Sequence, residues 1–251
     1  MIELQSIIKT YGSYTALHGL NLSVPAGEIF GFIGPNGAGK TTTIKIIGGI
    51  MAPTAGTVRI AGIDMARDPV AAKQRIGFIP DRPYLYEKLT GLEFLQFTAD
   101  VYRVSPDVFG EKALALLEMF ALAEWGEELI ESYSHGMKQR LIMCAALLHD
   151  PEVLVVDEPM VGLDPVAIRM VKNLFRELAA RGITVFMSTH TLAVAEDICD
   201  RIGIIHRGRL IAEGALDDLR KDMAGGAPNL EAVFINLTQA PGENPVADRP
   251  T

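Results

Sequence analysis

The sequence predicts an α/β fold: a parallel sheet with helices on its faces, interrupted by a mostly helical insertion. Three observations carry this. Between Ile2 and Ile60, short β-like runs are each bounded by glycine, proline or asparagine. From Thr90 to His149 the apolar residues recur at helical spacing. After Asp150-Pro151, short continuous apolar strands alternate with helices, the pattern of a sheet buried on both sides.

Taken in order, the strand signals are Ile2–Ile8, Leu20–Val24, Glu28–Ile33, Thr57–Ile60 and Arg75–Ile79, with a helix-compatible stretch over Thr42–Ile50. Ser105 followed by Pro106 reads as an N-cap with proline at the first helical position. Ala113, Leu114, Leu117, Met119 and Phe120 then lay down an apolar stripe. The second α/β segment reads as strand Glu152–Asp157, helix Pro165–Arg181, strand Ile183–Ser188, helix Thr191–Cys199 and strand Arg201–His206. The expected organisation is a domain over 1–223, with a core of about 1–89 and 151–223 around a helical part of about 90–150. The tail, 224–251, is rich in Gly, Pro, Asn and Ala and is expected to be loosely held apart from Leu230–Leu237.

Composition narrows the function classes. Of 251 residues, 49% are hydrophobic and 22% charged, too apolar for a disordered chain. Lysine and arginine number 23 against 31 acidic residues, a net charge of −8, so no nucleic-acid partner is expected. Mean hydropathy is +0.22. Even so, the uncharged runs Ile46–Val58, broken by glycine and proline, and Gly182–Ala195 fall short of a membrane span. The opening MIELQSIIKTYG lacks the basic-then-apolar layout of a leader, and Cys144 and Cys199 give neither a disulfide framework nor a metal spacing. A reducing compartment is expected.

The strongest local signal is Gly34-Pro35-Asn36-Gly37-Ala38-Gly39-Lys40-Thr41, followed by Thr42 and placed between a strand and a helix. This is a P-loop. Its glycines let successive amides turn toward phosphate oxygens without a Cβ in the way, and the helix N-terminus adds partial positive charge. In such a loop Lys40 can reach the β- and γ-phosphates and the Thr41 hydroxyl can ligate Mg²⁺. The loop alone does not separate ATPase, GTPase and kinase.

Val153-Leu154-Val155-Val156-Asp157-Glu158 ends a buried strand in two acids. Asp157 suits Mg²⁺ held through its water shell. Glu158 suits polarisation of the attacking water, a general-base role worth about 10²–10⁴-fold in rate. Read alone, a capping pair before the turn at Pro159 is the lesser alternative. His190 follows the next strand at the same carboxyl edge, where open α/β sheets bind ligands. It is a candidate to bond the γ-phosphate and orient Glu158, although a single histidine is by itself more often structural.

At Tyr133-Ser134-His135-Gly136-Met137-Lys138-Gln139-Arg140, heading an apolar helix, the sequence resembles the nucleotide-binding subunit of ABC transporters. Tyr133–Met137 stands where that family carries Leu-Ser-Gly-Gly-Gln, and the likeness spans about residues 2–220 with its landmarks in order. It implies a P-loop NTPase, RecA-like core with an N-terminal antiparallel β subdomain and an inserted α-helical subdomain. It implies that Tyr11 stacks on adenine, that Gly162-Leu163-Asp164-Pro165 communicates across a dimer, and that Ser188-Thr189-His190 carries the switch histidine. Ser134, His135 and Gly136 of one subunit would close on the γ-phosphate held by another subunit's cradle. ATP and Mg²⁺ are the implied cofactors, with Thr41, Asp81 and Asp157 around the metal. The implied partners are a second ATP-binding subunit, identical or not, and a separate integral membrane permease. The implied location is the cytoplasmic face of the cell membrane, held there through the permease.

Two departures stand out. His135 and Met137 replace a glycine and a glutamine of the family pattern, and Asp81 stands where the family usually carries glutamine. Tyr84, Leu85 and Tyr86 lie in the segment where the family receives its permease, with packing between lobes as the plain alternative. The stretch Asp81–Phe97 and the late Leu230–Phe234 look like members serving type-2 exporters. The competing reading is a non-transport ABC ATPase acting on a ribosome or DNA complex. Trp125 reads as packing.

Overall fold

A computed structural model describes residues 1–82, 84–221 and 229–239. β1 (Ile2–Tyr11) and β2 (Tyr14–Val24) form a long hairpin, β3 (Ile29–Ile33) leads into α1 (Lys40–Ile47), and β4 (Ala55–Ile60), β5 (Ile63–Asp64), α2 (Pro69–Gln74) and β6 (Ile76–Ile79) follow. Three helices come next: α3 (Gly91–Tyr102), α4 (Pro106–Met119) and α5 (His135–Leu147). The chain then runs β7 (Val153–Asp157), α6 (Pro165–Ala180), β8 (Thr184–Thr189), α7 (Leu192–Ile198), β9 (Arg201–His206), β10 (Arg209–Gly214), α8 (Leu216–Lys221) and α9 (Leu230–Gln239). Of the tail, 224–228 and 240–251 lie outside the described residues; the rest is Asn229 and α9.

Two sheets organise these elements. One is antiparallel, in the order β2-β1-β4-β5, and the other has six strands in the order β10-β9-β3-β8-β7-β6. In the second sheet only the edge strand β10 runs antiparallel. β6 and β7 are parallel neighbours, yet the chain between them passes through α3, α4 and α5. Successive residues of β7 face opposite layers, as a period of two requires. Val153 and Val155 join α1 and the antiparallel sheet, and Leu154 and Val156 join the core that includes α3–α6. Phe30, Phe32 and Phe186 form an aromatic stack in the first of these layers, Phe30 and Phe186 with centroids 5.7 Å apart. Each such side chain removed from water contributes about 1.5–3 kcal/mol. Among the described residues no helix is long and apolar enough to cross a membrane.

Local signals explain the helix starts. Thr90 and Glu93 form a reciprocal capping box on α3, the Glu93 amide donating to Thr90 Oγ1 at 3.1 Å and the Thr90 amide to Glu93 Oε2 at 2.8 Å. Pro106 opens α4 after Ser105, although the Ser105 side chain makes no capping bond. The stripe expected on α4 is only partly inward. Ala113, Leu117 and Phe120 are buried, whereas Leu114 and Met119 are exposed, because the buried face follows Phe109, Ala113, Leu116 and Leu117. Trp125 packs edge-on against Tyr133 at 6.2 Å while remaining partly exposed.

Candidate functional site

Sheet register gathers the site at the carboxyl ends of adjacent parallel strands. Ile33 pairs with Thr189 and Asp157 with Ser188, so the loop after β3, the acids ending β7 and the turn after β8 meet at one edge. Asp81 follows β6, the next strand along.

The phosphate cradle is shaped by what its glycines exclude. A Cβ on Gly34 would stand 2.3 Å from the Ile205 carbonyl oxygen, and Gly39, at φ +112°, would press one to 2.8 Å from Leu17 Cδ2. Lys40 is buried and folds back over the loop, its Nζ donating to the carbonyls of Gly34 at 2.6 Å and Pro35 at 3.2 Å. An ammonium has three N–H groups, so one is left for a phosphate oxygen. Burial pulls the Lys40 pKa down, opposed by the charges of Glu158 and Asp157. Thr41, at the first turn of α1, and Thr42 line an open groove with Tyr11, Tyr14, Ala16, Asn36, Gly37, Gly39 and Lys40. Ala38 is buried beneath the loop, and its carbonyl accepts from the Gly208 amide at 2.9 Å.

Tyr11 is half exposed at the rim of this groove. Its hydroxyl donates to Met51 Sδ at 2.9 Å, and the Lys9 ammonium sits 5.4 Å from the ring centroid. Tyr14, its partner across the hairpin, lines the same groove. The sequence reading missed Tyr14; its signal is the Tyr-Gly-Ser-Tyr hairpin tip, which puts both rings at one end.

The acids are held by β8. Ser188 Oγ donates to Asp157 Oδ1. Burial pushes the Asp157 carboxyl above the ordinary range, Ser188 pulls it back, Asp81 and Glu158 add to the rise, and Lys40 opposes it. Glu158 sits at φ +51°, a left-handed conformation that costs a non-glycine residue about 1–3 kcal/mol. In that conformation its carboxylate is held at both oxygens, by Thr189 Oγ1 at 3.3 Å and His190 Nδ1 at 2.8 Å. The Glu158 side chain is 15% exposed and that of His190 61%. Asp81 is exposed.

Ser134, His135 and Gly136 stand apart from the groove. Ser134 caps the 13-residue helix α5, accepting from the Met137 amide at 3.3 Å, and both Ser134 and His135 are exposed. The His135 ring rests on Gly162, where φ is +78° and a Cβ would stand 2.5 Å from His135 Cδ2. Asp164 caps α6, its Oδ1 accepting from the amides of Val166 at 2.9 Å and Ala167 at 2.8 Å. Among the described residues no cluster of three or more His, Cys, Asp or Glu is placed to hold a metal by itself.

The family model described as ABC transporter matches residues 17–161. The linearmycin resistance ATP-binding protein LnrL of Bacillus subtilis (strain 168) is 38% identical over 225 residues, which is 90% of this chain and 72% of that protein. A solved ATP-binding subunit of an ABC transporter superposes with a TM-score of 0.90 at 35% identity, covering 94% of this chain and 99% of that one. The ATP-binding cassette MJ0796, solved as a post-hydrolysis dimer with ADP and Pi, gives 0.76 at 29% identity, covering 86% and 98%. A family match over more than half the chain, with a relative this similar along most of both sequences, shows that the chain belongs to the ABC transporter family, as an ATP-binding, ATP-hydrolysing subunit.

Proposed function

We propose that the chain powers a separate membrane permease, moving a substrate outward, by closing head to tail on a second ATP-binding subunit each time ATP is bound. The observation that carries this reading is the separation of two anion sites on one chain. The cradle at Gly34–Thr42 faces the groove, while the exposed α5 N-terminus at Ser134–Gly136 lies against Gly162 and lines no part of that groove. A 13-residue helix presents unpaired amides and a partial positive charge at this end, and a second copy's γ-phosphate satisfies both. Two bound nucleotides then join two chains.

Within each site, the cradle amides and the spare Lys40 N–H hold the phosphates. The residues present fit Mg²⁺, since Thr41, Asp157 and Asp81 offer hard oxygens and the ion needs only one or two carboxylates beside substrate phosphates. When bound there, the ion neutralises charge on the β- and γ-phosphate oxygens. Glu158 accepts the proton of the attacking water, with His190 and Thr189 fixing its orientation. Asp164, capping α6 beside Gly162, sets the loop that reports closure across the pair. The chain sits at the inner face of the cell membrane through the permease. Tyr84, 83% exposed, and Tyr86, edge-on to Phe97 at 5.4 Å, offer the permease an aromatic surface, while Leu85 packs inward. A relative named for linearmycin resistance supports export.

Light scattering on the Glu158→Gln protein tests closure. Saturating ATP is expected to convert monomer to dimer, and Ser134→Arg in the same background to abolish the conversion. A strictly monomeric Glu158→Gln protein with ATP bound, alone and with its membrane partner, would overturn the reading.

A further inference from the structure

α9 is seated on the same layer that feeds the catalytic edge. Asn229 caps it, its Oδ1 accepting from the Ala232 amide at 2.9 Å. Leu230 and Val233 are fully buried against Ile33, Ala195, Ile202, Ile204 and Leu219, with Leu192, Phe234 and Leu237 partly buried around them. Ile33 is the last residue of β3, directly before the cradle, and Leu192 begins α7, two positions after His190. The helix therefore grips both segments that present groups to the γ-phosphate.

One turn of α9 reaches further. Phe234 lines a cleft whose other walls are Gly34, Pro35, Asn36, His190 and Leu192. It forms one wall of this cleft, the shoulder of the cradle and the turn that carries the switch histidine forming the others. Its backbone is fixed as well, the Phe234 carbonyl accepting from Thr238 Oγ1 at 2.7 Å. Among the described residues His190 has one anchor, the 2.8 Å contact with Glu158 Oε1, and its side chain is otherwise 61% exposed. A ring held by a single contact can still swing, and the apolar wall limits where it goes.

We infer that Phe234 is a positioning residue for hydrolysis, an aromatic wedge that sets the spacing between Pro35-Asn36 and His190. The inference rests on the reading of the site as an ATP-hydrolysing one. Phe234 touches no reacting atom. It acts through His190, and through it on Glu158, so its loss lowers turnover while leaving the cradle able to hold nucleotide.

The test is steady-state ATP hydrolysis by the full chain carrying Phe234→Ala, Phe234→Leu or Leu237→Ala. Phe234→Ala is expected to lower kcat on the order of tenfold, as misplacement of a positioned group does, with KM for ATP within about twofold of wild type. Phe234→Leu, which keeps an apolar wedge, is expected to recover most of kcat. Leu237→Ala, on the same helix and in the same apolar cluster but away from the cleft, is expected to leave kcat unchanged. Unchanged kcat in Phe234→Ala overturns the inference, as does a rise in KM without a fall in kcat. So does an equal loss from Leu237→Ala, which would make α9 a general brace. Absence of hydrolysis by the wild-type chain would instead sink the underlying reading of the site.

Discussion

His190 Nδ1 lies 2.8 Å from Glu158 Oε1, and the neighbouring Thr189 donates to the other carboxylate oxygen, so the turn after β8 aims the acid that follows β7. Replacing that acid with its amide keeps shape and removes the proton acceptor. Glu158→Gln is expected to cut phosphate release by about 10²–10⁴-fold while preserving ATP binding. Hydrolysis at the wild-type rate would show that Glu158 is not the base.

Asp81 adds a third negative charge at this edge, and its field is one of the effects that raise the Asp157 pKa. That charge repels a triphosphate when no cation intervenes, by on the order of 1 kcal/mol for a pair about 4 Å apart in water. Asp81→Gln is therefore expected to tighten ATP binding in EDTA by roughly fivefold and to change it less with Mg²⁺ present. Nucleotide titrations under both conditions read this directly. An equal Mg²⁺ dependence in the two proteins discards the proposed role of the charge.

Tyr11 presents its ring at the rim of the groove, braced by Met51 and Lys9. Aromatic–base stacking of about 1–3 kcal/mol corresponds to a roughly 5- to 150-fold rise in KM for ATP on Tyr11→Ala. Tyr11→Phe keeps the ring and loses only the hydroxyl contact to Met51, so its KM is expected to stay within about twofold. Equal losses in both variants would assign the hydroxyl, not the ring, as the important group.

The parts legible in the sequence were those written in contiguous residues. The strand–loop–helix at Ile29–Ile47 and the strand ending in Asp157 need only local pattern, and both are found in place. The hairpin was harder. β2 begins at Tyr14, before the Leu20 at which its alternation becomes readable, and β1 is bulged, with Ser6 at φ +51° and its amide on Asn21 Oδ1 at 2.8 Å. A bulge shifts the inward and outward faces by one, which erases a period of two. Leu114 and Met119 failed for another reason. Helical spacing tells which residues share a face, and only the neighbours decide which face is covered. Phe234 enters the site through long-range packing, so no local motif marks it.

The junction between the helical segment and the parallel sheet contains a titratable group poised to weaken it. His149 stacks on Tyr102 of α3, with centroids 3.7 Å apart and planes at 16°, and its Nε2 bonds the Ile76 carbonyl on β6 at 3.0 Å. The carbonyl only accepts, so Nε2 carries the proton and Nδ1 is the unprotonated nitrogen; Nδ1 is buried without a partner among the described residues. Adding a proton there buries a charge with no acceptor. Burial accordingly pulls the His149 pKa below the ordinary histidine value, the Ile76 bond opposing this, Lys112 adding to it and Asp150 opposing it. Above a pH of about 6.5, folded and unfolded chains are both neutral at this residue and its stabilisation is complete. As the pH drops below that value the unfolded chain takes up a proton first, so stability falls until the folded form also titrates. Urea unfolding between about pH 5 and pH 7 is expected to give a steeper loss for wild type than for His149→Phe. The difference in slope approaches at most about 1.4 kcal/mol per pH unit, the limit for one proton. Parallel curves would show that the ring titrates alike in both states and that the buried nitrogen is not the weak point of this junction.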